Sequence, residues 1–192
     1  MDKHNFIDQY LKRTAQIANE CSRERLEKMA DILSITRELK GRVFFLGIGG
    51  GGASASHATN DFNKIANIST FCLTDNVGLF SALANDEGWD SVFKRQLEMH
   101  NLTAKDCLFI FSVNGGTQNI SGNLVKAMEY AKVVGARILA VVGRETGVAA
   151  QVADACLVVP KIEESMVTPH TEDYQLVVNH LLINLLKQQS GY

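Results

Sequence analysis

A chain of 192 residues, 46% of them hydrophobic, is long enough to bury a core of its own as one domain. Its 19 basic and 21 acidic residues nearly cancel, which removes the usual electrostatic sign of a nucleic-acid partner. No apolar run reaches transmembrane length and the opening MDKHNFIDQY is too polar for a secretion signal, so no membrane association and a cytoplasmic location are expected.

Residues 4 to 39 space Phe6, Ile7, Tyr10, Leu11, Ile17, Leu26, Met29, Leu33 and Ile35 by threes and fours between charges. That periodicity predicts amphipathic helix in two segments broken near Cys21 to Arg23. Because these helices precede the first strand they are not sheet crossovers; an oligomer contact and a cover for the core are equally good readings. From Arg42 onward, apolar strand-like runs at 42–47, 69–74, 107–112, 137–142 and 155–159 alternate with helical stretches near 52–65, 77–99, 118–134, 146–152 and 169–188. Short continuous apolar strands between helices predict a parallel sheet covered on both faces, giving one doubly wound α/β domain with N-terminal helices over 1–40 and the α/β sandwich over 41–192. Cys21, Cys72, Cys107 and Cys156 lack CxxC spacing, and three of them sit in strand-like runs, so reduced thiols and no cysteine metal site are expected.

In such sheets ligands bind beyond the carboxyl ends of the strands, where strand order reverses. The first strand ends at Gly47 and is followed by Gly49, Gly50, Gly51 and Gly52. A strand, a glycine loop and a helix start leave backbone N–H groups and a positive dipole end free, which reads as an anion cradle or simply as a tight turn. His57 and Asp61, four apart, project from one face of the helix that follows. After the second strand, Asn85-Asp86-Glu87-Gly88 interrupts the apolar pattern, as a helix break or as a polar pair for hydroxyls. After the third, Ser112-Val113-Asn114-Gly115-Gly116-Thr117 reads as an N-capping turn or as a second phosphate cradle. Two such loops at neighbouring strand ends favour a sugar phosphate. The last helix is expected to be capped by Thr168 ahead of Pro169, or by Thr171. Glu172 lies in its first turn and His180 two turns on, so the two border one cleft without sharing a line.

The motifs G-x-G-G with S-H-x-x-x-D, A-N-D-x-G-W, the polar loop after the third strand, and P-H-x-E with a histidine eight residues later occur in this order. Together they resemble the sugar isomerase (SIS) domain proteins, and within them the phosphoheptose isomerases. The resemblance implies a five-stranded parallel sheet in flavodoxin-like order, a homotetramer, and isomerisation of sedoheptulose 7-phosphate to D-glycero-D-manno-heptose 7-phosphate. It implies Asp61 as base and His180 as acid. It implies zinc on His57, Asp61, Glu172 and His180, and substrate contacts from Gly49, Gly50, Asn85, Asp86, Ser112, Val113, Asn114, Thr117 and Glu172. The chain departs from the family pattern in four places: Ile48 and Gly51 replace an Asn and a Ser of the glycine loop, Asp61 stands where Glu is usual, the loop after the third strand is longer and lacks two serines, and Glu172 stands where Gln is common.

Aldose–ketose isomerisation moves a proton between adjacent carbons through an enediol, which suits a carboxylate paired with an imidazole. Two other readings remain open at this point. Gly47, Gly49 and Gly52 fit G-x-G-x-x-G with Asp75 at the end of the next strand, as in a dinucleotide enzyme, although no nucleotide cofactor is expected if His57, Asp61 and His180 form the site. SIS domains also serve as sugar-phosphate sensors and as tetrameric adaptors for other proteins.

Overall fold

A computed structural model describes residues 2–117 and 119–189. Two helices open the chain, α1 (Lys3–Glu20) and α2 (Arg23–Glu38), each started by a side-chain cap, Asp2 on the His4 N–H and Ser22 on the Arg25 N–H. The break between them falls at Cys21–Ser22, within the expected interval. The strands are β1 (Val43–Gly47), β2 (Thr70–Cys72), β3 (Cys107–Ser112), β4 (Arg137–Val142) and β5 (Ala155–Val158). They pair in parallel in the order β2-β1-β3-β4-β5, the flavodoxin-like arrangement.

Alternate side chains of each strand feed two separate cores. Val43, Phe45, Phe109 and Phe111 pack with α1, α2, α3 (Gly50–Asp61) and α8 (Val167–Gln189). Phe44, Leu46, Leu108 and Ile110 pack with α4 (Val77–Asp86), α5 (Val92–Met99), α6 (Gly122–Val134) and α7 (Val148–Val152). Burial on both faces is why the strands read as unbroken apolar runs. The starts of the inner strands β1 and β3 are pinned by Asp106, 1% exposed, whose carboxylate accepts the backbone N–H and guanidinium of Arg42 and the backbone N–H and hydroxyl of Thr103. Among the described residues no helix is long and apolar enough to cross a membrane.

Two boundaries differ from the periodicity, and one helix break that the sequence offered is realised. The helix expected from 118 begins at Gly122, because Gly115 and Gly116 take φ of 70° and 78° and the Thr117 hydroxyl accepts the N–H groups of Asn119 and Ile120, closing a loop instead; Gln118 itself lies outside the described residues. The long stretch 77–99 divides into α4 and α5 at the Asn85–Gly88 interruption. The last helix starts at Val167, so Thr168 and Pro169 lie inside its first turn, and the Thr171 hydroxyl donates back to the Val167 carbonyl rather than capping.

Since β1 is flanked by β2 on one side and β3 on the other, the chain reverses direction across the sheet between them. The loops after β1 and β3 therefore meet at the switch point. Their contact is close: a Cβ on Gly51 would lie 2.5 Å from the Phe111 carbonyl oxygen.

Candidate active site

The turn out of β1 requires glycine at position 49, whose φ of 61° and ψ of −127° suit no L side chain. Helix α3 then starts at Gly50 and is built almost entirely of Gly, Ala, Ser and Thr up to Asp61. Small residues let a neighbouring helix approach, and α8 packs along α3 with Ala55 and Ala58 in the same core cluster as Val178 and Leu182. The chain leaves α3 through a π-helical turn, Phe62–Ala66, immediately after Asp61.

At the far end of this helix pair three polar side chains converge. His57 Nε2 lies 3.0 Å from His180 Nε2 and 3.2 Å from Asp61 Oδ2, and His180 Nε2 is 3.5 Å from the same Oδ2. The rings meet edge to face with centroids 5.2 Å apart. Asp61 is 8% exposed, whereas both imidazoles are open to solvent. The carboxylate takes two further bonds, from Asn60 Nδ2 to Oδ1 at 3.2 Å and from Asn179 Nδ2 to Oδ2 at 2.9 Å. Among the described residues these three, His57, Asp61 and His180, form a cluster of metal-ligand character, their donor atoms all within 4.8 Å of one another.

Glu172 stands apart from that cluster. Its carboxylate lies over the start of α3, where a Cβ on Gly50 would come within 2.5 Å of Oε1. The positive end of α3, read from the sequence as an anion cradle, therefore faces the chain's own carboxylate. The other sequence candidates occupy the mouths of neighbouring strands. Gly49 lines a cleft of about 440 Å³ with Ile48, Thr74, Asp75, Phe80 and Trp89, beyond β1 and β2. Ser112 accepts the Gly115 N–H at 3.0 Å and the Val113 carbonyl accepts the Gly143 N–H at 2.9 Å, so the loop after β3 is held by its own bonds. The Asn114 carbonyl sits against Gly147, and Thr117 closes the turn ahead of α6. Asn85 donates to Asp86 Oδ1 at 2.8 Å at the exposed end of α4, so these two bond one another rather than the cluster.

Sequence reading missed Asn179 and Asn60. The signal for the first was an amide within the apolar stripe of α8, where Val178 and Leu182 are buried on either side and Asn179 is itself 0% exposed.

Comparison with known proteins agrees with this architecture. The SIS domain family profile matches residues 5–143. A phosphoheptose isomerase of Akkermansia muciniphila is 31% identical, over 85% of each chain, and one of Rhodospirillum rubrum is 29% identical, over 84% of each. The lincomycin biosynthesis protein LmbN of Streptomyces lincolnensis is 34% identical over 80% of this chain, which spans 58% of that relative's length. Among solved structures, the phosphoheptose isomerase GmhA of Neisseria gonorrhoeae superposes with a TM-score of 0.84 over 96% of this chain and 99% of its own, at 20% identity. With the five-stranded order, the glycine loop and a relative above 30% identity all in agreement, the chain belongs to the SIS domain family and is of the phosphoheptose isomerase type.

Proposed function

We propose that this protein isomerises a phosphorylated sugar between aldose and ketose forms, with sedoheptulose 7-phosphate, as the names of its relatives suggest, the substrate. The observation that carries the reading is the meeting of one carboxylate and two imidazoles, from α3 and α8, at the end of α3 away from the glycine loop. Asp61, sheltered and held by two amides, takes the proton from the carbon next to the carbonyl. His180, exposed and adjacent, moves the second proton between the two oxygens. The phosphate belongs in the loop Ser112–Thr117 rather than at the glycine loop, because Glu172 already brings negative charge to the start of α3. That leaves the glycine loop, Asn85 and Asp86 for the polyol chain.

The donor set also fits zinc, since two imidazole nitrogens and a carboxylate oxygen are the ligands that ion prefers. His57, Asp61 and His180 would hold it, while Glu172, which the resemblance also implied as a ligand, sits over the start of α3 and outside this group; bound there, zinc would supply Lewis-acid polarisation of a sugar carbonyl. The assembly we infer is a homotetramer, supported by apolar side chains left exposed on α1 and on α8 beside His180.

Incubation with sedoheptulose 7-phosphate, followed by detection of the aldose, tests the reading. Asp61→Asn and His180→Ala should each lower turnover by about a hundredfold or more. Near-normal turnover in both variants would remove the acid/base assignment, and binding of the sugar phosphate without conversion would point to a sensor.

A further inference from the structure

Asp61 does not rest on the histidines alone. Its two carboxylate oxygens are each held by one amide: Oδ1 by Asn60, at 3.2 Å from an exposed position on α3, and Oδ2 by Asn179, at 2.9 Å from a fully buried position on α8. Oδ2 is the oxygen that both imidazoles face. The orientation of the Asn179 amide follows from chemistry, because turning it over would set its carbonyl oxygen against the carboxylate. In the observed orientation its Oδ1 is buried without a partner. A buried carbonyl with no donor is costly, and an apolar side chain of similar size would escape that cost, so the amide is present here for its N–H.

We propose that Asn179 is the positioning residue of the site: it fixes Asp61 Oδ2 where His57 and His180 converge, and thereby sets both the aim of the base and the shape of the metal-binding cluster. Asp61 is one methylene shorter than the glutamate usual in the family, so its reach is set by how closely α8 approaches α3. Asn179 supplies that bond across the two helices, one residue before His180. The role in catalysis rests on the isomerase reading; the placement of Oδ2 does not.

The test uses Asn179→Leu, which keeps the branched shape and removes both the N–H and the unpartnered carbonyl, with Asn179→Ser as a smaller second variant should the bulkier first not fold. Three measurements are made: a crystal structure, zinc affinity by calorimetry, and kcat and KM on the sugar phosphate. The Asp61 carboxylate should turn away from the imidazoles, and zinc affinity should fall by roughly 10- to 100-fold, the usual effect of losing a group that orients a ligand. Turnover should fall about tenfold or more with KM within about twofold. In an Asp61→Asn background the same change at Asn179 should cost nothing further, since its effect passes through that carboxylate. An Asp61 side chain that keeps its place in the variant, or equal losses in both backgrounds, would overturn the proposal. If Asp61 moves as expected while the unaltered protein converts no sugar phosphate, the isomerase reading fails and the positioning role stands.

Discussion

Two adjacent glycines at the start of α3 meet different neighbours and so carry different consequences. A methyl group on Gly51 would come 2.5 Å from the Phe111 carbonyl, which is backbone at the end of the central strand and does not yield. Gly51→Ala should therefore destabilise the fold by about 1 to 3 kcal/mol, as overpacking a tight contact does, and urea unfolding measures it. A methyl on Gly50 meets only the carboxylate end of Glu172, a half-exposed side chain with room to turn. Gly50→Ala should change stability by less than about 1 kcal/mol yet shift Glu172, and the KM for the sugar phosphate should rise. A KM unchanged in that variant would take Glu172 out of the substrate contacts. The same comparison explains why the glycine run is so dense: it serves two close approaches, one to the sheet and one to α8, in addition to a turn.

At the scale of elements, β1 and β3 are tied at their starts by Asp106. Burial by itself would push this carboxyl up, but the Arg42 guanidinium and the donors from Thr103 and the Arg42 backbone outweigh it and hold the group below the usual carboxylate range. A carboxyl depressed in the folded state lends stability that is fully present above its unfolded value, about pH 3.9, and is lost as the pH falls through its folded value. Asp106→Asn should cost about 3 kcal/mol at pH 7, because it leaves the Arg42 guanidinium only the His100 and Asn101 carbonyls and no counter-charge, and the gap from the parent chain should narrow below about pH 4. Denaturation curves at both pH values check the magnitude and the sign; a gap that widens in acid would contradict it. The strands themselves were legible in the sequence because both faces are buried, and α4 and α5 separated at the Asn85–Gly88 interruption for the same local reason, turn residues in an apolar pattern. His57 and Asp61 were legible as a pair by helical spacing. What brought His180 into view was the order of motifs along the whole chain, since a lone histidine among Val177, Leu181 and Leu182 carries no local sign of its task. Asn179 bonds a residue 118 positions away and Glu172 faces a glycine on another helix, so neither contact has a short-range signature. The delayed start of α6 was missed because a glycine-rich loop and a helix cap are written in the same residues.

The whole molecule shows an imbalance between what its sheet buries and what its first helix leaves bare. In α1 only Ile17 is buried, and the helix is fastened by the Tyr10 hydroxyl on Asp173 at 2.7 Å and by the Tyr174 hydroxyl on the Thr14 carbonyl. Leu11 is 60% exposed and Ile7, one turn earlier, 55%. On α8, Val177 and Leu181 are also exposed, on either side of His180. An apolar stripe on a helix that contributes so little to its own core has the character of a contact between copies, and the position of Val177 and Leu181 would bring such a contact to the rim of the site. Because His57, Asp61 and His180 meet within a single chain, assembly is not required to gather them; it would instead shelter them from water. The double variant Ile7→Asp with Leu11→Asp should therefore sediment as a smaller species than the parent chain, keep its helical signal and its zinc affinity within about threefold, and lose about tenfold or more in turnover. Parent and variant sedimenting alike as single chains at about 10 μM would dismiss the tetramer, whereas a dissociated variant with full turnover would show that the chain's own site works without neighbours.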